Sequence, residues 1–223
     1  TDEARVRAAA PLRLRCWREP RGANAFPPGV FDRSKDRLLD IGIGTGTALA
    51  RNAHHVLEKK LTVVGIDYEE AYIRKAVDVV RDAGLKDSVV LHCKSVYDSQ
   101  LPVLFSGAAK FDAVFFSGSL TLMPDPPTAL RAAAAMLKDK GRIYVTQTFQ
   151  NQRSPITEVV KPLLRYLTTI DFGVVTYKSE MDDIVQASGL TMLENDAIAG
   201  SISTTAQTAR LYVLEHRLDD KRC

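Results

Sequence analysis

The sequence predicts an α/β fold on a doubly wound parallel sheet, and three observations carry that expectation. An apolar strand at residues 38–41 runs straight into a turn with Gly42, Gly44 and Gly46 at alternate positions. Short apolar runs then alternate with stretches of helical periodicity, which is the pattern of parallel strands joined by crossover helices. Two strand-like stretches close the chain, near enough in sequence to pair antiparallel at the sheet edge. With five strands before them, they make seven.

The elements follow in order. Residues 38–41 form strand one. Residues 47–60 read as one helix, because Leu49, Ala53, Val56 and Leu57 share a face. Residues 61–66 form strand two, ending against Asp67. Residues 70–83 form a helix through Tyr72, Ile73, Ala76, Val77 and Val80, with Gly84 placed to stop it. Residues 88–93 form strand three, and residues 101–106 a short helix. Residues 111–116 form strand four. An alanine-rich helix over 128–137 follows the Pro126-Pro127 start, and Gly141 closes the turn into strand five at 142–148. Helices are expected around 156–167, kinked by Pro162, and around 179–187. Strands near 191–198 and 210–216 end the chain.

Residues 1–36 read differently. Pro11, Pro20, Gly22, Pro27, Pro28 and Gly29 interrupt any helix there, so they are expected to form an extended, basic arm ahead of one domain at 37–223. Residues 1–37 hold nine basic and five acidic side chains, against a net charge of +3 for all 223 residues. The excess therefore sits at the front of a near-neutral domain. Such an arm suits an acidic partner, either protein or ribonucleoprotein, with Trp17 between Arg15 and Arg18 as an anchor. It also resembles a processed leader, which places the chain in the mitochondrial matrix, with the cytoplasm as the alternative. No apolar run reaches the eighteen or so residues of a membrane span. Cys16, Cys93 and Cys223 show neither a disulfide framework nor metal-ligand spacing.

The glycine spacing selects the ligand class. Dinucleotide binding uses G-x-G-x-x-G/A, and here Thr47 stands where the last small residue should fall. That holds down an NAD-linked oxidoreductase. With Asp40 two residues before the first glycine, the turn resembles motif I of the class I S-adenosylmethionine (SAM)-dependent methyltransferases. The resemblance runs from about Arg37 to the end. It includes Asp67 after strand two and the phrase FDAVFFSGSLTLMPDPPTALRAAAAMLKDKGRIYVTQ over 111–147, with an LPDP-like turn at Met123 to Pro126. It implies the Rossmann-like fold of that class and SAM as cofactor. Gly42, Gly44 and Gly46 would leave room for the amino-acid end of SAM. Asp40 would accept from the loop amides or, through water, from the cofactor ammonium. Asp67 would accept both ribose hydroxyls. Tyr68 would lie near the adenine, with Ser95 on the following loop, and Ser117 and Gly118 would line the methionine portion.

One residue departs from the pattern. The family often has an acid after strand three to accept the adenine amino group, and Lys94 holds that position here. A lysine cannot accept a hydrogen bond. Either Asp98 takes over or the adenine pocket is degraded.

No catalytic residue is legible. The Asn/Asp-Pro-Pro-Tyr/Phe motif of amine methylation is replaced by Ser117-Gly118-Ser119-Leu120, and a Pro-Cys nucleophile pair is absent. His54 and His55 read as surface or packing residues and His92 as structural. Thr121, Tyr144 and Gln147 could face an acceptor but read as scaffold. Leu120, Leu122 and Met123 read as loop packing or an apolar acceptor pocket. Two functions stay open: a methyltransferase acting on a small molecule, RNA or protein, and a methyltransferase-like scaffold or assembly subunit without turnover. Residues 1–36 are expected to supply no capping helices ahead of motif I, so a partner would have to complete the lid.

Overall fold

A computed structural model describes residues 36–106, 110–151, 177–198, 201 and 203–217. The proposed arm and the helix expected around 156–167 lie outside the described residues. The described elements are β1 (Arg37–Ile41), α1 (Thr47–Arg51), α2 (Ala53–Glu58), β2 (Thr62–Asp67), α3 (Glu70–Asp82), β3 (Val89–Cys93), α4 (Leu101–Ser106) and β4 (Phe111–Ser117). A 3-10 turn (Leu120–Leu122) leads to α5 (Pro126–Ala135), β5 (Leu137–Gln150), α6 (Lys178–Ser188), β6 (Thr191–Ala197) and β7 (Gln207–Glu215).

The seven strands form one sheet in the order β3-β2-β1-β4-β5-β7-β6. The first five are parallel, and β7 runs antiparallel to both β5 and β6. β1 lies between β2 and β4, so the connections leave it in opposite directions. A crevice opens there at the carboxyl ends of the strands, the place where such sheets bind ligands.

Each strand alternates its side chains between two cores. Leu39, Ile41, Val114, Phe116, Val145 and Phe149 face α5 and α6, packing on Leu130, Ala133, Met181 and Val185. Leu38, Val63, Phe115 and Tyr144 face the other way, onto Leu49, Val56 and Val80 of α1, α2 and α3. Near-continuous apolar strands are therefore required, because both faces of the parallel part are covered.

Three boundaries differ from the periodicity. The single helix expected over 47–60 is two, broken at Asn52, whose side chain turns back to donate to the Ala48 carbonyl at 2.7 Å. The helix expected to reach Leu137 ends at Ala135, because Leu137 pairs with Phe111 in the sheet. β5 is longer at both ends than 142–148: Leu137 pairs with Phe111 of β4, so Gly141 lies inside the strand rather than in a turn before it, and β7 pairs with the strand as far as Gln150. The terminal hairpin forms as expected, with β7 inside the sheet and β6 at its edge.

Candidate active site

The turn after β1 is held by backbone. The Gly42 and Ile43 amides both donate to the Ile66 carbonyl, at 2.8 and 3.1 Å, and the Gly46 amide donates to Ile43 at 3.1 Å. Gly42, Gly44 and Gly46 have φ of +72°, +57° and +72°, in the left-handed region that favours glycine. Their surroundings differ. A Cβ on Gly42 would lie 2.5 Å from the Ser119 Cβ. A Cβ on Gly46 would rest on Ala76 of α3 at 3.4 Å. A Cβ on Gly44 would meet nothing within 4 Å. Gly42 thus permits a close approach of two loops, Gly46 seats the turn on α3, and Gly44 faces open space.

Ser119 is the site residue that sequence reasoning missed. Its hydroxyl donates to the Ile41 carbonyl at 2.6 Å and locks the loop after β4 against the glycine turn. The signal was the glycine at 42: a residue without a side chain implies a neighbour that needs the space.

Two carboxylates end the strands beneath this turn. Asp67 is buried, and both its oxygens are engaged: Oδ2 accepts from the Gly44 amide and Oδ1 from the Glu69 amide, each at 2.9 Å. A carboxylate has about four acceptor positions, so two remain for hydroxyl donors. Asp40 is only 1% exposed, and its Oδ1 is buried with no hydrogen-bond partner. The loop-tying role expected as one option for Asp40 therefore falls to Asp67 and the Ile66 carbonyl. Burial, and then the negative charge of nearby Asp67, push the Asp40 carboxyl up to about 7.

The remaining expected residues surround the same crevice. The Tyr68 side chain is 78% exposed just past β2. Its carbonyl accepts from Cys93 Sγ at 3.6 Å. Ser95 lies on the loop after β3, where its hydroxyl accepts from the Tyr97 amide at 3.2 Å. Ser117 ends β4 opposite Thr146. The Gly118 amide donates to the Thr146 carbonyl at 2.8 Å.

Lys94 reaches Asp98 at 2.9 Å, and the other Asp98 oxygen accepts from the Gln100 amide at 2.8 Å. These contacts hold the Asp98 carboxyl below the usual range, the Lys94 hydrogen bond contributing most. Asp98 is thus tied within its own loop. His92 packs edge-on against Phe105, with ring centroids 5.8 Å apart. The His54 and His55 rings lie tilted to each other within α2, with centroids 3.9 Å apart. No group of three or more potential metal ligands occurs among the described residues.

This donor and acceptor set fits two parts of SAM. Asp67 has positions left for ribose hydroxyls, and the orphaned Asp40 oxygen suits a positively charged group such as the ammonium of the amino-acid end. It offers no ready carboxylate for the adenine amino group. Sheet order, glycine turn and acid after β2 together define a class I SAM-dependent methyltransferase domain.

The comparisons agree. A family model described as "Methyltransferase domain" matches residues 32–189, and the chain belongs to that family. It is 25% identical over 142 residues to a phosphatidylethanolamine N-methyltransferase of Cereibacter sphaeroides, covering 62% of this chain and 65% of the relative. It is 29% identical over 166 residues to a ubiquinone biosynthesis O-methyltransferase of Marinobacter nauticus, covering 71% of this chain and 65% of the relative. The chain thus spans just under two thirds of these relatives. Geranyl diphosphate C-methyltransferase from Streptomyces coelicolor, solved with S-adenosyl-L-homocysteine, superposes with a TM-score of 0.61 at 13% identity. That match covers 84% of this chain and 75% of the other.

Proposed function

We propose that this chain transfers a methyl group from SAM to an oxygen nucleophile on a small molecule. The observation that carries the reading is the open space over Gly44, whose own amide is bonded to an Asp67 carboxylate with acceptor positions to spare. The similarity to ubiquinone biosynthesis O-methyltransferases supports oxygen as the receiving atom.

When bound, SAM supplies an activated methyl: the acceptor oxygen forms the new C–O bond, the S–C bonding pair returns to sulfur, and the acceptor proton leaves to solvent. This chain's residues have only to bind and align. Asp67 holds a ribose, Asp40 a cationic group, and the Ser119–Ile41 bond keeps the two loops in register. Such in-line positioning can supply up to about 7–11 kcal/mol, so the lack of a legible general base does not argue against turnover.

Isothermal titration with SAM and with S-adenosylhomocysteine tests this. Micromolar binding, abolished by Gly44→Asp, is the expected result. No binding at millimolar ligand would remove the reading. That outcome would favour the scaffold alternative, which the Lys94–Asp98 pair supports.

The charge of residues 1–37 supports two further proposals: docking of the arm on a protein or ribonucleoprotein assembly, and mitochondrial residence. Deleting residues 1–30 should lighten the native complex; an unchanged mass and composition would end the docking proposal. Fractionation of the native cell should find the protein with matrix markers, and a cytosolic fraction would end the second. No helix among the described residues is long and apolar enough to cross a membrane.

A further inference from the structure

The loops at the carboxyl edge of the sheet are joined in a closed circuit of hydrogen bonds. The Gly44 amide on the glycine turn donates to Asp67 Oδ2 at 2.9 Å. The Lys94 amide, which opens the loop after β3, donates to the Asp67 carbonyl at 2.8 Å. Further along that loop, the Tyr97 hydroxyl donates to the Asp125 carbonyl at 2.9 Å and accepts from the Asp125 amide at 3.0 Å. On the stretch that leads to Asp125, the Ser119 hydroxyl donates to the Ile41 carbonyl at 2.6 Å, which returns the circuit to the glycine turn.

The Tyr97 link differs from the rest. It joins residues 28 apart, on loops whose strands, β3 and β4, are separated in the sheet by β2 and β1. β2 ends in Asp67 and β1 runs into the glycine turn, so the link reaches across the breadth of the crevice. It is also exposed, with Tyr97 at 37%, whereas the Gly44 and Ser119 links are partly buried. The loop that carries it is stiff: the Tyr97 amide donates to the Ser95 hydroxyl at 3.2 Å, and Lys94 holds Asp98 at 2.9 Å. The Asp98 oxygens are taken by Lys94 and the Gln100 amide, so that loop has no ready carboxylate to grip a base. What remains is the fit of the base between walls, and fit contributes to affinity only where the walls are already in place.

We infer that Tyr97 is a positioning residue for the cofactor. By fastening the loop after β3 to the start of α5, it fixes the width of the pocket that takes the base, and the base is held by that fit rather than by a carboxylate. The inference deepens the methyl-transfer reading and rests on it.

The test uses the full chain and isothermal titration with S-adenosylhomocysteine and S-inosylhomocysteine. Tyr97→Phe keeps the ring and removes both hydrogen bonds of the link. Thr128→Val is the control. It also removes two hydrogen bonds at the start of α5, from the Thr128 hydroxyl to Asp125 Oδ2 at 2.6 Å and from Arg131 to that hydroxyl at 2.7 Å, and it leaves the link intact. The two variants should unfold in urea at similar midpoints. The Kd for S-adenosylhomocysteine should rise about fivefold in Tyr97→Phe, because part of the population then has the pocket open, and stay within about twofold of the wild type in Thr128→Val. The rise should be the same for S-inosylhomocysteine, since the link touches no group of the base.

An unchanged Kd in Tyr97→Phe would overturn the assignment. So would an equal rise in Thr128→Val, or a Tyr97→Phe chain that no longer unfolds cooperatively, since the hydroxyl would then serve the fold. A rise confined to S-adenosylhomocysteine would overturn the role of fit, because it would mean a contact with the amino group of adenine. Each of these leaves the methyl-transfer reading standing, whereas a wild type that binds neither ligand would overturn that reading itself.

Discussion

Gly42 and Gly44 look alike in the sequence and differ in what a side chain there would meet. Gly42→Ala should destabilise the fold by about 1–3 kcal/mol, through both backbone strain and overlap with Ser119. Urea unfolding measures it. Gly44→Ala carries the strain without the overlap, so it should cost about 1–2 kcal/mol. Its main effect should appear as weaker S-adenosylhomocysteine binding in a titration.

Asp40 makes a prediction of a different kind. Folding raises its pKa to about 7, so from about pH 4 to 7 the folded chain keeps a proton that the unfolded chain has released. Stability of the ligand-free protein should therefore fall as pH rises through that window, and Asp40→Asn should remove this part of the slope. A cation bound at Asp40 favours the ionised form. S-adenosylhomocysteine should accordingly bind more tightly at pH 8 than at pH 6, with proton release visible as buffer-dependent heat. A flat profile would dissociate Asp40 from the ligand. Lys94 predicts relaxed purine recognition: S-inosylhomocysteine should bind within a few-fold of S-adenosylhomocysteine, because Asp98 is occupied by Lys94 and by the Gln100 amide.

At the level of elements, the capping of α5 connects fold and site. Asp125 accepts from the Thr128 amide at 3.1 Å and the Thr128 hydroxyl at 2.6 Å, with Pro126 and Pro127 preset for the first turn. The Tyr97 hydroxyl clamps the same residue from the other side of the crevice. It donates to the Asp125 carbonyl at 2.9 Å and accepts the Asp125 amide at 3.0 Å. The loop after β3 is thereby fastened to the turn that starts α5. Asp125→Ala should cost about 1 kcal/mol in urea unfolding. Tyr97→Phe should cost about as much, since it removes two hydrogen bonds from a partly exposed position. The pattern of the sequence placed this helix start through its prolines and missed the clamp, because Tyr97 and Asp125 are joined only once β3 and β4 lie in one sheet. The break at Asn52 was hidden for a local reason: the apolar spacing from Leu49 to Leu57 continues across it, while the interruption comes from a polar side chain bonding back to Ala48.

At the level of the molecule, the sheet order brings together residues far apart in the chain. Asp40, Asp67, Ser119 and Gln147 come from the ends of β1, β2, the loop after β4 and β5. The sequence by itself determined the class of fold, the glycine turn and Asp67, because apolar periodicity, glycine spacing and the position of an acid at a strand end are local properties. It could not determine which of two similar glycines touches a neighbour, that Asp67 rather than Asp40 ties the turn, or that Gln147 points into a core face with its oxygen unpaired. Those facts depend on which strand ends and loops the fold brings side by side. Only the assembled sheet, with β4 laid against β1 and β7 inserted beside β5, decided them, by removing water from some polar atoms and supplying partners to others.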